Sequence, residues 1–188
     1  LEKLKKTNAC EGCDLSGANL AFAKLQKANL REANLRNANL RKAYLDGANL
    51  QKANISAVNL EYAVMRLANL NDANLQRAKL RYIDLRGADL RNANLFKAEI
   101  YKADLSGADL SNANFDYARI HNSHFRGADL RGAELSKADA YCEICSPKSK
   151  NSSYTFMFND EGAIYCKTLV IWGEVNDDCE DEDLEETE

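Results

Sequence analysis

The sequence predicts an all-β solenoid, a narrow four-sided rod of stacked 20-residue coils. Three observations predict it. A large apolar residue recurs every five positions from Leu15 to Leu135, with only Ile55, Met65, Ile100, Phe115, Ile120 and Phe125 standing in for Leu. Ala sits two residues before almost every rung, from Ala18 to Ala138, the exceptions being Cys13, Val58, Ile83 and Ser123. The period itself excludes the simpler elements. Five residues of helix advance roughly 500°, which smears the Leu residues around the axis. Five is also odd, so a long strand would send successive Leu residues to opposite faces.

Within one unit, A-(N/D)-L-x-x, the Ala and Leu lie on the same side of a short extended segment, and the x-x pair must turn the chain. Each unit is then one side of a polygon, and four right-angled corners close a coil. Coils stack at about 4.8 Å. The unit resembles that of the pentapeptide-repeat family, over residues 11 to 140. The resemblance implies a right-handed quadrilateral β-helix. Its 25 units make about six coils, enough for a stacked array to bury its own core. Val58 and Ile83, too large for the Ala position, should swell the rod locally.

The elements follow in order. Residues 1–10 (L-E-K-L-K-K-T-N-A-C) read as a short amphipathic helical cap over the exposed end of the rod. Residues 11–140 are the β-helix. Within it, Asn29, Asn49 and Asn69 are 20 residues apart and stack in one column, where their side chains can bond along the stack or to turn backbone. That column continues as Asp89, Asp109 and Asp129, whose like charges need solvent or partners. Gly47, Gly87, Gly107 and Gly127 share a corner that calls for positive φ. Residues 141–179 read as an irregular C-terminal cap. In it an insertion over 141–162 precedes a final partial coil, and Phe156, Phe158, Ile171 and Trp172 supply cap core. Residues 180–188 form a solvated, disordered acidic tail. Caps are needed because an open stack exposes unpaired backbone and apolar side chains.

Charge is unevenly spread. Residues 11–140 hold 19 Lys/Arg against 15 Asp/Glu, whereas residues 141–188 hold 3 basic and 13 acidic residues. No stretch is long and apolar enough to span a membrane as a helix. The start at Leu1, without an initiator Met, fits a trimmed or mature chain from which a signal peptide has been removed.

All six Cys lie at the ends of the repeat: Cys10 and Cys13 at its start, Cys142, Cys145, Cys166 and Cys179 after it. An even count suits disulfides, while two C-x-x-C pairs also suit zinc. A site shared between the two pairs is excluded by the length of the rod, so a metal-binding C-terminal cap is the form that alternative takes. The opening T-N-A-C-E-G-C-D-L, from Thr7, resembles the start of extracytoplasmic pentapeptide-repeat proteins of cyanobacteria and chloroplast lumens. The stretch G-A-I-Y-C-K-T-L-V-I-W-G-E-V-N-D-D-C resembles the terminal segment of the same group, with Val170-Ile171-Trp172 in place of Met-Pro-Asp. The resemblance implies disulfides, Cys166 to Cys179 among them, and a periplasmic or thylakoid-lumen location, outside the cytoplasm, that keeps them oxidised.

No constellation reads as catalytic. His121 and His124 occupy outward positions on a convex rod, which offers no cleft to desolvate a general base. There is no phosphate loop and no H-E-x-x-H. Arg66, Arg86 and Arg126 share one column, and Arg31, Arg91 and Arg131 another, but neighbouring carboxylates offset them, so no nucleic acid is expected. The best surface candidates are apolar. Phe22, Tyr62 and Tyr82 share a column, and Tyr44, Val64 and Leu67 lie near one corner; exposed apolar groups in a row mark a partner surface.

The sequence therefore reads as a non-catalytic structural or protein-interaction module, without a cofactor, monomeric because both ends are capped. Two alternatives stand beside it. One is a DNA mimic acting on a topoisomerase, an activity known in the family, which the basic repeat surface disfavours. The other is the zinc-binding C-terminal cap.

Overall fold

The computed structural model describes residues 2–140 in full, together with the backbone of 141, 169–170 and 173–174. Residue n pairs in parallel with residue n + 20 along the whole repeat, beginning with Ala9 to Asn29 and Asp14 to Asn34 and running on to Asp109 with Asp129 and Asn114 with Glu134. The four-sided coil is thus real, and the columns read from the sequence are columns in space. We number its sides by the segments that form them. Face 1 holds 23–25, 43–45, 63–65 and their successors; face 2 holds 28–30 onward, face 3 holds 33–35 onward and face 4 holds 38–40 onward. Most of these segments are too short to be more than single bridges. Three-residue strands form only late, with β1 (Glu99–Tyr101) pairing β2 (Arg119–His121), and β2 pairing β4 (Asp139–Tyr141), all in parallel.

The core is the Leu ladder and its Ala companions. Leu30, Leu35, Leu40, Leu45, Leu60 and Leu70 are wholly buried, as are Ala28, Ala33, Ala43 and Ala48 beside them. Each fully buried Leu contributes about 1.5–3 kcal/mol of apolar transfer. Val58 and Ile83 are buried in Ala positions. The corner bond preceding Val58 stretches to 3.4 Å, against 3.0 Å at Ala53 and Ala63, as local swelling requires.

At most corners the N–H of the Ala position donates to the carbonyl three residues back and closes a β-turn, as Ala53 does to Leu50. The second corner residue has positive φ, the type II pattern. Gly47, Gly87, Gly107 and Gly127 meet this with φ of 62°, 64°, 66° and 65°. Lys52, Tyr62, Leu67 and Tyr82 adopt the same φ, 56–60°, without glycine's freedom. Left-handed backbone costs such residues roughly 1 kcal/mol each, which the two flanking ladders outweigh by over-determining the corner.

The Asn column works through the corner. Asn29, Asn49 and Asn69 each accept, on Oδ1, the backbone N–H two residues ahead, at 3.2, 3.0 and 3.0 Å. Bonds along the stack also occur, from Asn34 Nδ2 to Asp14 at 3.0 Å and from Asn39 Nδ2 to Asn19 at 3.3 Å.

At the N-terminal end, α1 (Glu2–Thr7) lies over the first coil with Leu4 buried against it. Six residues are too few for a helix that stands alone, so docking of Leu4 holds it. Asn8, at φ 52°, ends it and donates its N–H to the Leu4 carbonyl at 2.9 Å. At the other end, β3 (Glu134–Leu135) on face 3 pairs in parallel with β5 (Leu169–Val170), which pairs antiparallel with β6 (Gly173–Glu174). The chain thus returns to the stack 35 residues on rather than 20. The expectations for 142–168, 171–172 and 175–188, including the aromatic cap core and the acidic tail, lie outside the described residues.

Candidate partner-binding face

Face 1 departs from the repeat. The middle position of each unit elsewhere carries mainly Asn or Asp, whose oxygen closes the following corner. On face 1 that column runs Lys24, Tyr44, Val64, Asp84, Asp104, His124. Asp84 and Asp104 still accept the N–H of Arg86 and Ser106, at 3.3 and 3.0 Å. Tyr44 and Val64 have no oxygen to offer there. Their side chains point out, Tyr44 exposed and Val64 half-buried.

The corners on either side of face 1 carry the other apolar candidates. Phe22, Lys42, Tyr62 and Tyr82 form the column on one side, and Lys27, Gly47, Leu67 and Gly87 the column on the other. All six surface residues singled out in the sequence therefore belong to one side of the rod, not to two separate places. Five of the six exposed large apolar side chains among the described residues are here: Phe22, Tyr44, Tyr62, Leu67 and Tyr82. Leu67 is 74 % exposed. It stands between two glycines in its column, above an open hollow of about 570 Å³ lined also by Lys27, Asp46, Arg66 and Arg86.

The 20-residue stagger sets the contacts. The Tyr62 and Tyr82 rings stack with centroids 4.7 Å apart and planes 5° from parallel, the spacing of the coils themselves. Tyr101 meets Tyr82 edge-on at 5.5 Å. Lys42 Nζ lies 5.8 Å from the Phe22 ring and 5.7 Å from Tyr62, and the Arg41 guanidinium is 5.3 Å from Tyr62. Each exposed cation–ring pair contributes about 0.5–1 kcal/mol and keeps the rings upright. The result is an aromatic strip interleaved with Lys42 and Arg41.

The comparisons with known proteins address the chain as a whole. The sequence profile described as Pentapeptide repeats matches residues 13–51, 48–81, 73–112 and 108–141. The chain belongs to the pentapeptide-repeat family. Its fold is accordingly the right-handed quadrilateral β-helix. Among solved structures, it is similar to HetL, a pentapeptide-repeat protein involved in heterocyst differentiation regulation in the cyanobacterium Nostoc sp. strain PCC 7120. The identity is 27 %, over 89 % of this chain and 81 % of that one, with a TM-score of 0.32. It is also similar to QnrB1, a plasmid-mediated fluoroquinolone resistance protein, at 23 % identity over 71 % and 69 %, TM-score 0.41. A pentapeptide-repeat protein from the Arabidopsis thaliana thylakoid lumen is 23 % identical over 61 % and 70 %, TM-score 0.28. No curated protein matches the chain.

The charged columns of this pentapeptide-repeat rod are internally neutralised. Arg86 grips Asp84 with two bonds, 2.9 and 2.7 Å, and Arg91 grips Asp89 in the same way. Arg131 binds Asp129 at 2.6 Å, and Arg66 binds Asp46 at 2.6 Å. These guanidinium bonds hold the Asp84, Asp89 and Asp129 carboxyls below the usual carboxylate range. The column of like charges is thus paired rather than bare.

Cys10 and Cys13 form a disulfide, with Cα atoms 5.2 Å apart. It spans a single corner, where Cys13 N–H already donates to Cys10 C=O at 3.1 Å and Gly12 supplies the positive φ. Loop-closure entropy for so short a loop is about 2 kcal/mol. Cys142, Cys145, Cys166 and Cys179 lie outside the described residues. His121 is half-buried with Nε2 3.4 Å from Asp139, and His124 is exposed on face 1. Among the described residues no group of His, Cys, Asp and Glu is arranged to hold a metal, and no helix is long and apolar enough to cross a membrane.

Two features escaped the sequence reading. Lys42 and Arg41 belong to the aromatic strip, and writing the chain in rows of 20 would have placed them there. A second cluster joins Phe96 and Tyr117 edge-on at 5.5 Å, with Lys97 and Lys137 over the Tyr117 ring.

Proposed function

We propose that this pentapeptide-repeat protein is a non-catalytic protein-interaction module that docks its partner on face 1. The observation that carries the reading is the replacement of the corner-closing Asn by Tyr44 and Val64, amid five of the six exposed large apolar side chains among the described residues. Those residues give up a local hydrogen bond and bury little in exchange, so the fold does not account for them. The occupant that fits is a protein segment with apolar side chains for the Leu67 hollow and the tyrosine strip, flanked by carboxylates. Lys24, Lys27 and Lys42 have no ion-pair partner among the described residues and supply the complementary charge.

The Cys10–Cys13 bridge supports an oxidising compartment, the periplasm or thylakoid lumen. The topoisomerase reading has less support, because the acidic columns a DNA mimic would present are engaged by Arg86, Arg91 and Arg131.

The test compares three baits at equal concentration in periplasmic or lumenal extract: wild type, a face 1 variant (Tyr44→Ser, Tyr62→Ser, Leu67→Asn) and a Tyr117→Ser variant. The expected result is one acidic protein retained stoichiometrically by wild type and Tyr117→Ser, and at least tenfold less by the face 1 variant. Equal retention by all three, or none by wild type, rejects the reading.

A further inference from the structure

The two kinds of open edge on the first coil are treated differently, and that difference assigns a second binding site. Within the stack, each middle residue uses both its backbone groups toward the coil before it. Asn39 N–H donates to Ala18 C=O, and Asn39 C=O accepts from Leu20 N–H, at 2.9 and 2.7 Å; Tyr44 does the same with Ala23 and Leu25. Among the described residues no coil stacks before the first. On face 2 this is made good from within the chain. Thr7 Oγ1 accepts the Ala9 N–H at 3.3 Å, and its proton serves the carbonyls of Lys3 and Ala9, at 2.8 and 3.1 Å. On faces 4 and 1, the N–H and C=O of Asn19 and Lys24 have no partner among the described residues, and both residues are exposed.

Beside those two edges is a concavity of about 480 Å³, lined by Leu4, Lys5, Leu20, Ala23, Lys24 and Leu25 among others. α1 covers the rod end only in part. Ala18 and Ala23 are partly buried, whereas their column mates Ala38 and Ala43 are fully buried. The site therefore combines backbone donors and acceptors that no described residue uses with an apolar floor, the two requirements for strand addition.

We propose that the N-terminal end of the rod binds an extended peptide of the pattern small–acidic–Leu-x-x-small–acidic–Leu, which adds in parallel to faces 4 and 1. Each part of the pattern comes from a column. The residue over Ala18 or Ala23 must be small, and its carbonyl takes the free N–H of Asn19 or Lys24. The residue over Leu20 or Leu25 must be Leu-like, and its N–H meets the free carbonyl. The residue between them points outward over Asn19 and Lys24. The local charge favours a carboxylate there, because Lys3, Lys5, Lys6, Lys24 and Lys27 gather at this end. Three acids share this end and leave it net positive: Glu2 pairs with Lys5 at 3.4 Å, Glu11 with Arg31 at 2.8 Å, and Asp14 accepts from Ser16 and Asn34 at 3.0 Å. The x-x pair turns the corner and takes a flexible residue second.

The test uses full-length protein and a fluorescein-labelled peptide with the sequence of residues 103–110, A-D-L-S-G-A-D-L, read by anisotropy. Wild type is expected to bind it saturably and a scrambled peptide at least tenfold more weakly. Lys24→Pro removes one free N–H that no described bond uses, and proline is accepted on a sheet edge facing solvent; it should weaken binding at least tenfold at unchanged melting temperature. Lys24→Ala keeps the N–H and should lose only a few-fold, a loss that disappears in high salt. Peptide N-methylated at both Leu residues removes the ligand's donors without touching the protein, and it too should fail to bind. No saturable binding by wild type up to about 1 mM, equal binding of the scrambled peptide, or full binding of the N-methylated peptide overturns the proposal.

Discussion

Ser123→Ala tests whether the repeat pattern or the local geometry governs stability, because the two predict opposite signs. Ser123 occupies an Ala position. By the pattern alone, Ala restores the ladder and removes a buried hydroxyl, which should stabilise. The structure says otherwise. At this corner in earlier coils, the N–H of Ala23, Ala43 and Ala63 closes the turn onto Leu20, Leu40 and Leu60, at 3.0–3.1 Å. In the later coils β1 and β2 stay extended through Tyr101 and His121, and the Ala103 N–H goes instead to Ser123 Oγ at 3.1 Å. The same hydroxyl donates to the His121 carbonyl at 3.1 Å. Ala103 is wholly buried and Ser123 is 7 % exposed, so no solvent replaces the bond. Leaving that N–H unsatisfied costs about 1–3 kcal/mol. For a chain of this size, this lowers the melting midpoint by roughly 2–10 °C. Thermal and urea midpoints of wild type and variant, followed by circular dichroism, measure it. A midpoint equal to or above wild type refutes the hydrogen-bond argument and returns the position to the ladder.

Two further outcomes follow from the same geometry. Arginine bonds hold Asp84, Asp89 and Asp129 lower in the folded chain than the value near 3.9 of an unfolded Asp. A depressed folded value means that their stabilisation is complete above about pH 5 and lost as pH falls below about 4. The melting midpoint should therefore drop between pH 5 and 2.5, and Arg91→Gln should shallow the drop; an unchanged or rising midpoint on acidification contradicts the assignment. Tyr44→Asn restores an acceptor for the Asp46 N–H, a bond worth about 0.5–1.5 kcal/mol when made. The variant should be at least as stable as wild type while losing partner binding, and a clear fall in midpoint would mean that Tyr44 serves the fold instead.

Much of the rod was legible because its geometry is translational. Once five residues make a side and four sides a coil, Leu70, Ala73 and Asn69 have no freedom left, and their columns follow by counting. The Gly corners were read correctly for the same reason. What counting could not show is that the corner, not the glycine, imposes the positive φ, so that Tyr62, Leu67 and Lys52 are carried into it by the ladders on either side. Nor could it show that an Ala position may be worth a serine. That depends on whether the turn two residues earlier closes, which is a property of three coils together.

The candidate face was half legible. Phe22, Tyr62 and Tyr82 were visible as a column, and Tyr44, Val64 and Leu67 as a group, but their union depends on which corners flank which side. A uniform rod makes that union informative. In an irregular domain an exposed tyrosine is unremarkable, because roughly half of any protein surface is apolar. Here every coil poses the same folding problem, and Asn or Asp solves it at most middle positions. Lys79 and Arg119 on face 4 also decline that solution, but as solvated charges; a large apolar residue that declines it without being buried gains nothing for the fold in exchange. Tyr44 and Val64 decline it in consecutive coils, flanked by the exposed Phe22, Tyr62, Leu67 and Tyr82 of the two corner columns, while Asn49, Asn54, Asn69 and Asn74 on faces 2 and 3 keep their corner bonds. That contrast within one chain, rather than the apolar area itself, is the argument for a partner on face 1.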